Sequence, residues 1–167
     1  MNKSNNSQTV LVTGSNGYVA SWIVKYLLEE GFKVNATVRD KSNQDKVGHL
    51  TTLGELHPGM LELFNADLLN DGDFDVPMKD CEIVFHTASP FIVRGIKDPQ
   101  KELIEPALKG TRNVLEAANR IDSVKRVVLT SSVVAIFSDN EEALSQPNGT
   151  FTEAVWNTNS SIERQPY

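Results

Sequence analysis

Residues 10 to 20 read VLVTGSNGYVA. Val10 to Thr13 is a β-branched run that stops at Gly14, and from Gly17 to Glu30 the apolar residues Val19, Ile23, Val24, Leu27 and Leu28 recur at helical spacing. A strand therefore meets a helix across a glycine turn. In the pattern G-x-x-G-x-x-A, Gly14 permits the tight turn and Gly17 lets the backbone approach a pyrophosphate at the positive end of the helix. Ala20 is small enough for the helix to pack onto the sheet. Asn16, Tyr18 and Val19 lie in the same turn and join Gly14 and Gly17 as candidate cofactor-binding residues.

Outward from this junction, Gly31 closes the helix and Val34 to Val38 forms a second strand ending at Arg39. A looser helix is expected over Asp45 to Leu56, a third strand over Met60 to Phe64 and a fourth over Glu82 to His86. A helical stripe runs from Leu103 to Ala118 (positions 103, 107, 108, 111, 114, 115 and 118), with Pro106 in its first turns, and Arg126 to Ser131 is a fifth strand. Strands alternating with helices predict an α/β fold, a Rossmann-type doubly wound parallel sheet in the order 3-2-1-4-5.

The expected organisation is a flexible tail over residues 1–8, a nucleotide-binding domain over 9–132 and a poorly ordered segment near the active site over 133–167. No sixth strand follows, so the chain reads as the amino-terminal half of something longer, cut before a substrate domain.

Composition narrows the function classes. The 167 residues carry a formal charge of −6, 40% are hydrophobic and there is one cysteine, Cys81. This is an ordinary globular composition with no intrachain disulfide and no Cys-rich zinc site. An acidic balance without a Lys/Arg block argues against nonspecific nucleic-acid binding. No signal-peptide core and no long apolar run is present, so a cytoplasmic location and no membrane partner are expected. His49 and His57 lack ligand spacing and no metal is expected; His86 reads as a packed strand-end residue.

The end of the second strand selects the nucleotide. An NAD site places Asp or Glu there for the ribose 2′-hydroxyl, whereas a 2′-phosphate needs a cation. Arg39 can fork onto phosphate oxygens and Lys46 can add a second charge, while Asp40, one residue beyond, would repel a phosphate. NADP(H) is the expected cofactor.

These stretches together resemble the extended short-chain dehydrogenase/reductases, in the branch of dihydroflavonol 4-reductase, cinnamoyl-CoA reductase and related aldehyde or ketone reductases. The resemblance rests on VLVTGSNGYVA, the TVRD at 37–40, Ala66-Asp67-Leu68, VFHTASP at 84–90, EPALKGTRNVLEAA at 105–118 and VVLTSS at 127–132. It implies an NADPH-dependent enzyme acting on a small carbonyl compound. Asp67 and Leu68 match the pair that holds the adenine, Thr87 and Ala88 the loop lying along the cofactor, and Ser132 the serine that polarises the carbonyl. Tyr167 matches the start of the Tyr-x-x-x-Lys motif, whose lysine position lies past residue 167, so this chain by itself is expected to be nearly inactive. Phe91, Ile92 and Val93 fit an apolar wall near the nicotinamide and core packing equally well. A nonenzymatic module sensing NADP(H) redox state is the competing expectation.

Overall fold

The computed structural model describes residues 8–90 and 95–164. Five strands form one parallel sheet in the order β3-β2-β1-β4-β5: β1 Thr9–Thr13, β2 Lys33–Val38, β3 Leu61–Asn65, β4 Cys81–His86 and β5 Arg126–Leu129. The order is the expected one. The crossovers carry α1 (Tyr18–Glu29), α2 (Gln44–Leu56), α3 (Asp75–Met78) and α4 (Glu105–Arg120).

Both sheet faces are covered, as parallel strands require. On one face Val10, Val12, Val34, Ala36 and Val38 pack with Ala20, Val24 and Leu28 of α1 and Val47 and Leu50 of α2. On the other, Leu11 and Val84 pack with Phe74, Met78, Cys81, Val114, Ala117 and Ala118. Alternate residues along β1 thus serve opposite faces, which is why Val10, Leu11 and Val12 form a continuous apolar run, whereas β2 alternates Val34, Ala36 and Val38 with Asn35 and Thr37. Burial raises the Cys81 thiol to about 12, so it stays protonated and packs as a small apolar group.

Three expectations need correction. The fifth strand ends at Leu129 and not at Ser131, because its last ladder pair is His86↔Leu129 and β4 leaves the sheet at Thr87. The helix expected from Leu103 starts at Glu105; Gln100–Ile104 is a π-helical turn, in which the Glu105 N–H donates to the Gln100 carbonyl. Pro106 has no N–H to give and its ring crowds the carbonyl four residues earlier, so the wider register is adopted just before it. The buried face of α4 is Gly110, Val114, Ala117 and Ala118, whereas Leu108 and Leu115 are exposed at 63% and 38%. Small residues let α4 approach the sheet, and leucine count alone misplaces that face. Sequence reading also passed over α3, whose four residues are too few to show a helical period.

The chain divides into two compact units, Met1–Pro90 with Pro106–Leu129, and Phe91–Glu105 with Thr130–Tyr167. In the second unit, 3-10 turns occupy Val133–Ala135, Asn140–Ser145 and Pro147–Gly149, Phe137 stacks on Phe151 at 4.2 Å, and Asn157 donates from Nδ2 to the Val134 carbonyl and to Ser160 Oγ. Among the described residues, no helix is long and apolar enough to cross a membrane.

Candidate functional site

Gly14 stands at φ +62°, the left-handed region that a Cβ disfavours, and a Cβ there would lie 3.0 Å from Cα and Cβ of Ala88. Both facts demand glycine. The turn is closed by the Gly17 N–H donating to the Gly14 carbonyl at 2.9 Å, while Ser15 is buried, its N–H donating to Thr37 O and its hydroxyl to Val12 O. Gly17 is the N-cap of α1 and brings no capping side chain. The first helical hydrogen bond is Ser21 N–H to Gly17 O at 2.9 Å, which leaves the N–H groups of Tyr18, Val19 and Ala20 ahead of it, at the positive end of the helix dipole. Asn16, Gly17, Tyr18 and Val19 are all exposed. An open helix terminus behind a turn with no side chain at Gly14 or Gly17 fits an anionic diphosphate.

The neighbouring strand ends converge on this turn. The Thr13 hydroxyl oxygen accepts the N–H groups of Thr87 and Ala88, both at 3.1 Å, and lies 2.8 Å from Nδ1 of His86. With two bonds accepted, the hydroxyl proton is directed at Nδ1, and the neutral imidazole carries its own proton on Nε2. The Thr87 hydroxyl donates to the Thr13 carbonyl. Thr13 and His86 are register partners on β1 and β4, so the loop carrying Thr87 and Ala88 is fastened over the Gly14 turn by strand pairing.

His86 is 2% exposed, and burial lowers its pKa to about 4. An unfolded imidazole titrates near 6.5, so between those values the unfolded chain binds a proton that the folded chain does not, and stability falls as the pH drops through this window. At pH 5 the expected loss from His86 is about 2 kcal/mol. Urea midpoints at pH 7 and pH 5 check this, since His86→Asn keeps an acceptor and does not titrate; an equal drop in the variant would remove the assignment.

Arg39 and Lys46 are exposed at the junction of β2 with the first turn of α2. Oδ1 of Asp40 is taken by the hydroxyl of Ser42 at 2.6 Å and its N–H at 2.9 Å, bonds that hold this carboxyl below the usual range. One of the two oxygens of this carboxylate is thus engaged within its own loop. After β3, the Asp67 N–H donates to Asp73 Oδ2 at 2.8 Å and Oδ1 of Asp67 accepts the Leu69 N–H at 2.9 Å, while Leu68 packs against the α4 side of the core.

The first unit therefore holds Gly14, Asn16, Gly17, Tyr18, Val19, Arg39, Lys46, Asp67, Leu68, Thr87 and Ala88 at the carboxyl ends of β1 to β4, in the turns that follow them or in the first turns of α1 and α2. This is the edge where open α/β sheets take ligands. Ser132 belongs to the second unit, where it is exposed and its Oγ accepts the Val134 N–H at 3.4 Å as the cap of a 3-10 turn. Tyr167, Phe91, Ile92 and Val93 lie outside the described residues. Sequence reading missed Thr13 and, on α4, Asn113, which donates to the Leu68 carbonyl at 2.8 Å. Polar residues at strand ends and on a helix face turned to the sheet were the available signal. Among the described residues no cluster of three or more His, Cys, Asp or Glu is placed to hold a metal ion.

Comparison with known proteins agrees with this geometry. The chain is 52% identical over 136 residues to a cinnamoyl-CoA reductase of Medicago truncatula and 44% identical over 149 residues to tetraketide alpha-pyrone reductase 1 of Arabidopsis thaliana. These alignments cover 81% and 88% of the chain but 41% and 44% of the relatives, so the chain spans less than half the length of either. Among solved structures it resembles Gre2 of Candida albicans in complex with NADPH (TM-score 0.75, 33% identity, 92% of this chain and 45% of that one). It also resembles the yeast methylglyoxal/isovaleraldehyde reductase Gre2 complexed with NADPH (TM-score 0.74, 31% identity, 94% and 46%). The sheet order, the glycine turn and a family model matching residues 10–161 agree: the chain belongs to the NAD dependent epimerase/dehydratase family.

Proposed function

We propose that this chain is the cofactor-binding part of an NADP(H)-dependent oxidoreductase that reduces an aldehyde or ketone to an alcohol. The observation that carries the reading is the open N-terminus of α1 behind Gly14 and Gly17, with Arg39 at the end of the adjacent strand and the rival Asp40 tied to Ser42. The reductase names of the relatives and the NADPH held by the Gre2 structures support it.

On this reading the Tyr18, Val19 and Ala20 N–H groups take the pyrophosphate, with Asn16 beside them. Arg39 forks onto the 2′-phosphate and Lys46 adds charge, Asp67 accepts from the adenine amino group beside Leu68, and Thr87 and Ala88 present backbone along the nicotinamide half. When bound, the dinucleotide supplies a hydride for the carbonyl carbon. Ser132 polarises the carbonyl oxygen by donating a hydrogen bond and Tyr167 protonates it.

Calorimetric titration with NADPH and NADH tests the cofactor assignment. NADPH is expected to bind more tightly, and Arg39→Ala to weaken NADPH by about ten- to a hundredfold while leaving NADH little changed, since a charge-assisted contact to the 2′-phosphate is removed. Equal affinities for the two dinucleotides in the unmutated chain would overturn it.

A further inference from the structure

The two-residue edge Asp67-Leu68 follows β3 after Ala66, and the next regular element begins only at Asp75. Within its own loop it is fixed by Asp73 and by the Leu69 N–H. A second set of restraints comes from α4. Asn113 donates from Nδ2 to the Leu68 carbonyl at 2.8 Å. Gly110, one turn earlier, is buried under the same residue, where a Cβ would lie 2.9 Å from Leu68 Cβ, 3.2 Å from Cδ1 and 3.3 Å from Cγ. Lys109 pairs with Asp71 at 3.3 Å. Position 113 lies three residues after 110 and four after 109 and so shares a side of the helix with each, and α4 grips the loop after β3 through its main chain, its side-chain stem and its charge.

Such a grip matters for base recognition. A carboxylate distinguishes a 6-amino purine from a 6-oxo purine because the first offers N–H donors and the second an oxygen whose lone pairs oppose its own. That contrast survives only while the carboxylate is held. One free to swing can turn to water when the wrong base arrives, and the penalty then shrinks.

We infer that Asn113 and Gly110 are positioning residues that act through Leu68 to hold Asp67 against the adenine edge, and so set the preference for adenine over a 6-oxo purine in the dinucleotide. The inference rests on the cofactor reading above. Neither side chain touches the nucleotide; their effect is on where Asp67 stands.

The test compares reduced NADP with its hypoxanthine analogue by calorimetry on the 167-residue chain, on Asn113→Leu, which keeps the side-chain shape without the donor, and on Gly110→Ala. The unmutated chain is expected to prefer the adenine form by about tenfold or more, the value of a hydrogen bond to a charged acceptor. Asn113→Leu is expected to cut most of that preference. Gly110→Ala disturbs the same contact sterically, because its methyl displaces Leu68 and the helix preference of alanine offsets only part of that overpacking. Its urea midpoint should fall modestly with the fold kept, while the base preference falls. A folded Asn113→Leu or Gly110→Ala with an unchanged preference overturns the inference, as does a proportional loss of both dinucleotides, which marks a purely structural role. No preference in the unmutated chain overturns it too. No NADPH binding by the unmutated chain overturns the cofactor reading instead.

Discussion

Gly17→Val is expected to lower NADPH affinity by at least about a hundredfold while leaving the fold in place. Gly17 is exposed, and its φ of −73° and ψ of 156° are extended values that valine adopts freely, so backbone conformation is not the obstacle. The obstacle is space. A Cβ at this position lies 3.2 Å from the Gly14 carbonyl oxygen, and the two methyl groups beyond it occupy the ground in front of the Tyr18 and Val19 N–H groups that the pyrophosphate has to approach. Losing that approach removes several charge-assisted hydrogen bonds together, each worth about 1.5 to 3 kcal/mol. The cost to folding is limited to a poorer N-cap, about 1 kcal/mol. Titration with NADPH together with circular dichroism checks both halves. Retained affinity with native helicity would show that the phosphate loop lies elsewhere.

The second large effect concerns Tyr167. In a chain carried through a lysine four residues after it, Tyr167→Phe is expected to lower turnover of NADPH with aromatic and aliphatic aldehydes by about 10² to 10⁴, the usual contribution of a positioned proton donor. NADPH affinity should stay within a few-fold, because in the proposed mechanism the phenol acts on the carbonyl oxygen. A free tyrosine titrates near 10, and a neighbouring ammonium favours its phenolate, which makes the proton exchangeable near neutral pH. Ser132→Ala in the same chain should fall in the same direction by removing the donor that polarises the carbonyl. Turnover within a few-fold of the parent in Tyr167→Phe would overturn the assignment; loss of NADPH binding would locate the residue in the cofactor site.

Much of the fold was legible because its signals are local. The run Val10 to Thr13, the glycine turn and the stripe from Val19 to Leu28 specify strand, turn and helix over neighbouring residues, and parallel pairing with right-handed crossovers leaves few ways to order five such strands. The same locality made Gly14, Gly17 and Arg39 readable as candidates for a nucleotide site. The start of α4 was misplaced because the Pro106 effect falls on a carbonyl one turn upstream, where a single-residue pattern carries no mark of it. The end of the fifth strand was misplaced because strand length is decided by the partner, here β4 departing at Thr87.

The sequence by itself determined the order of the five strands and the three longer helices and a candidate turn for a diphosphate, since these follow from periodicity and from the backbone limits of glycine. Only the tertiary structure decided which residues hold that site in shape. Thr13 and His86 are 73 residues apart and meet only because β1 and β4 pair in register, so that one hydroxyl can take two N–H groups and face a buried imidazole. Asn113 and Leu68 are 45 residues apart and meet only because small residues on α4 let the helix come down onto the sheet. Hydrogen bonds of this kind require segments far apart in the chain to be placed to within a few tenths of an ångström, and that placement is set by packing.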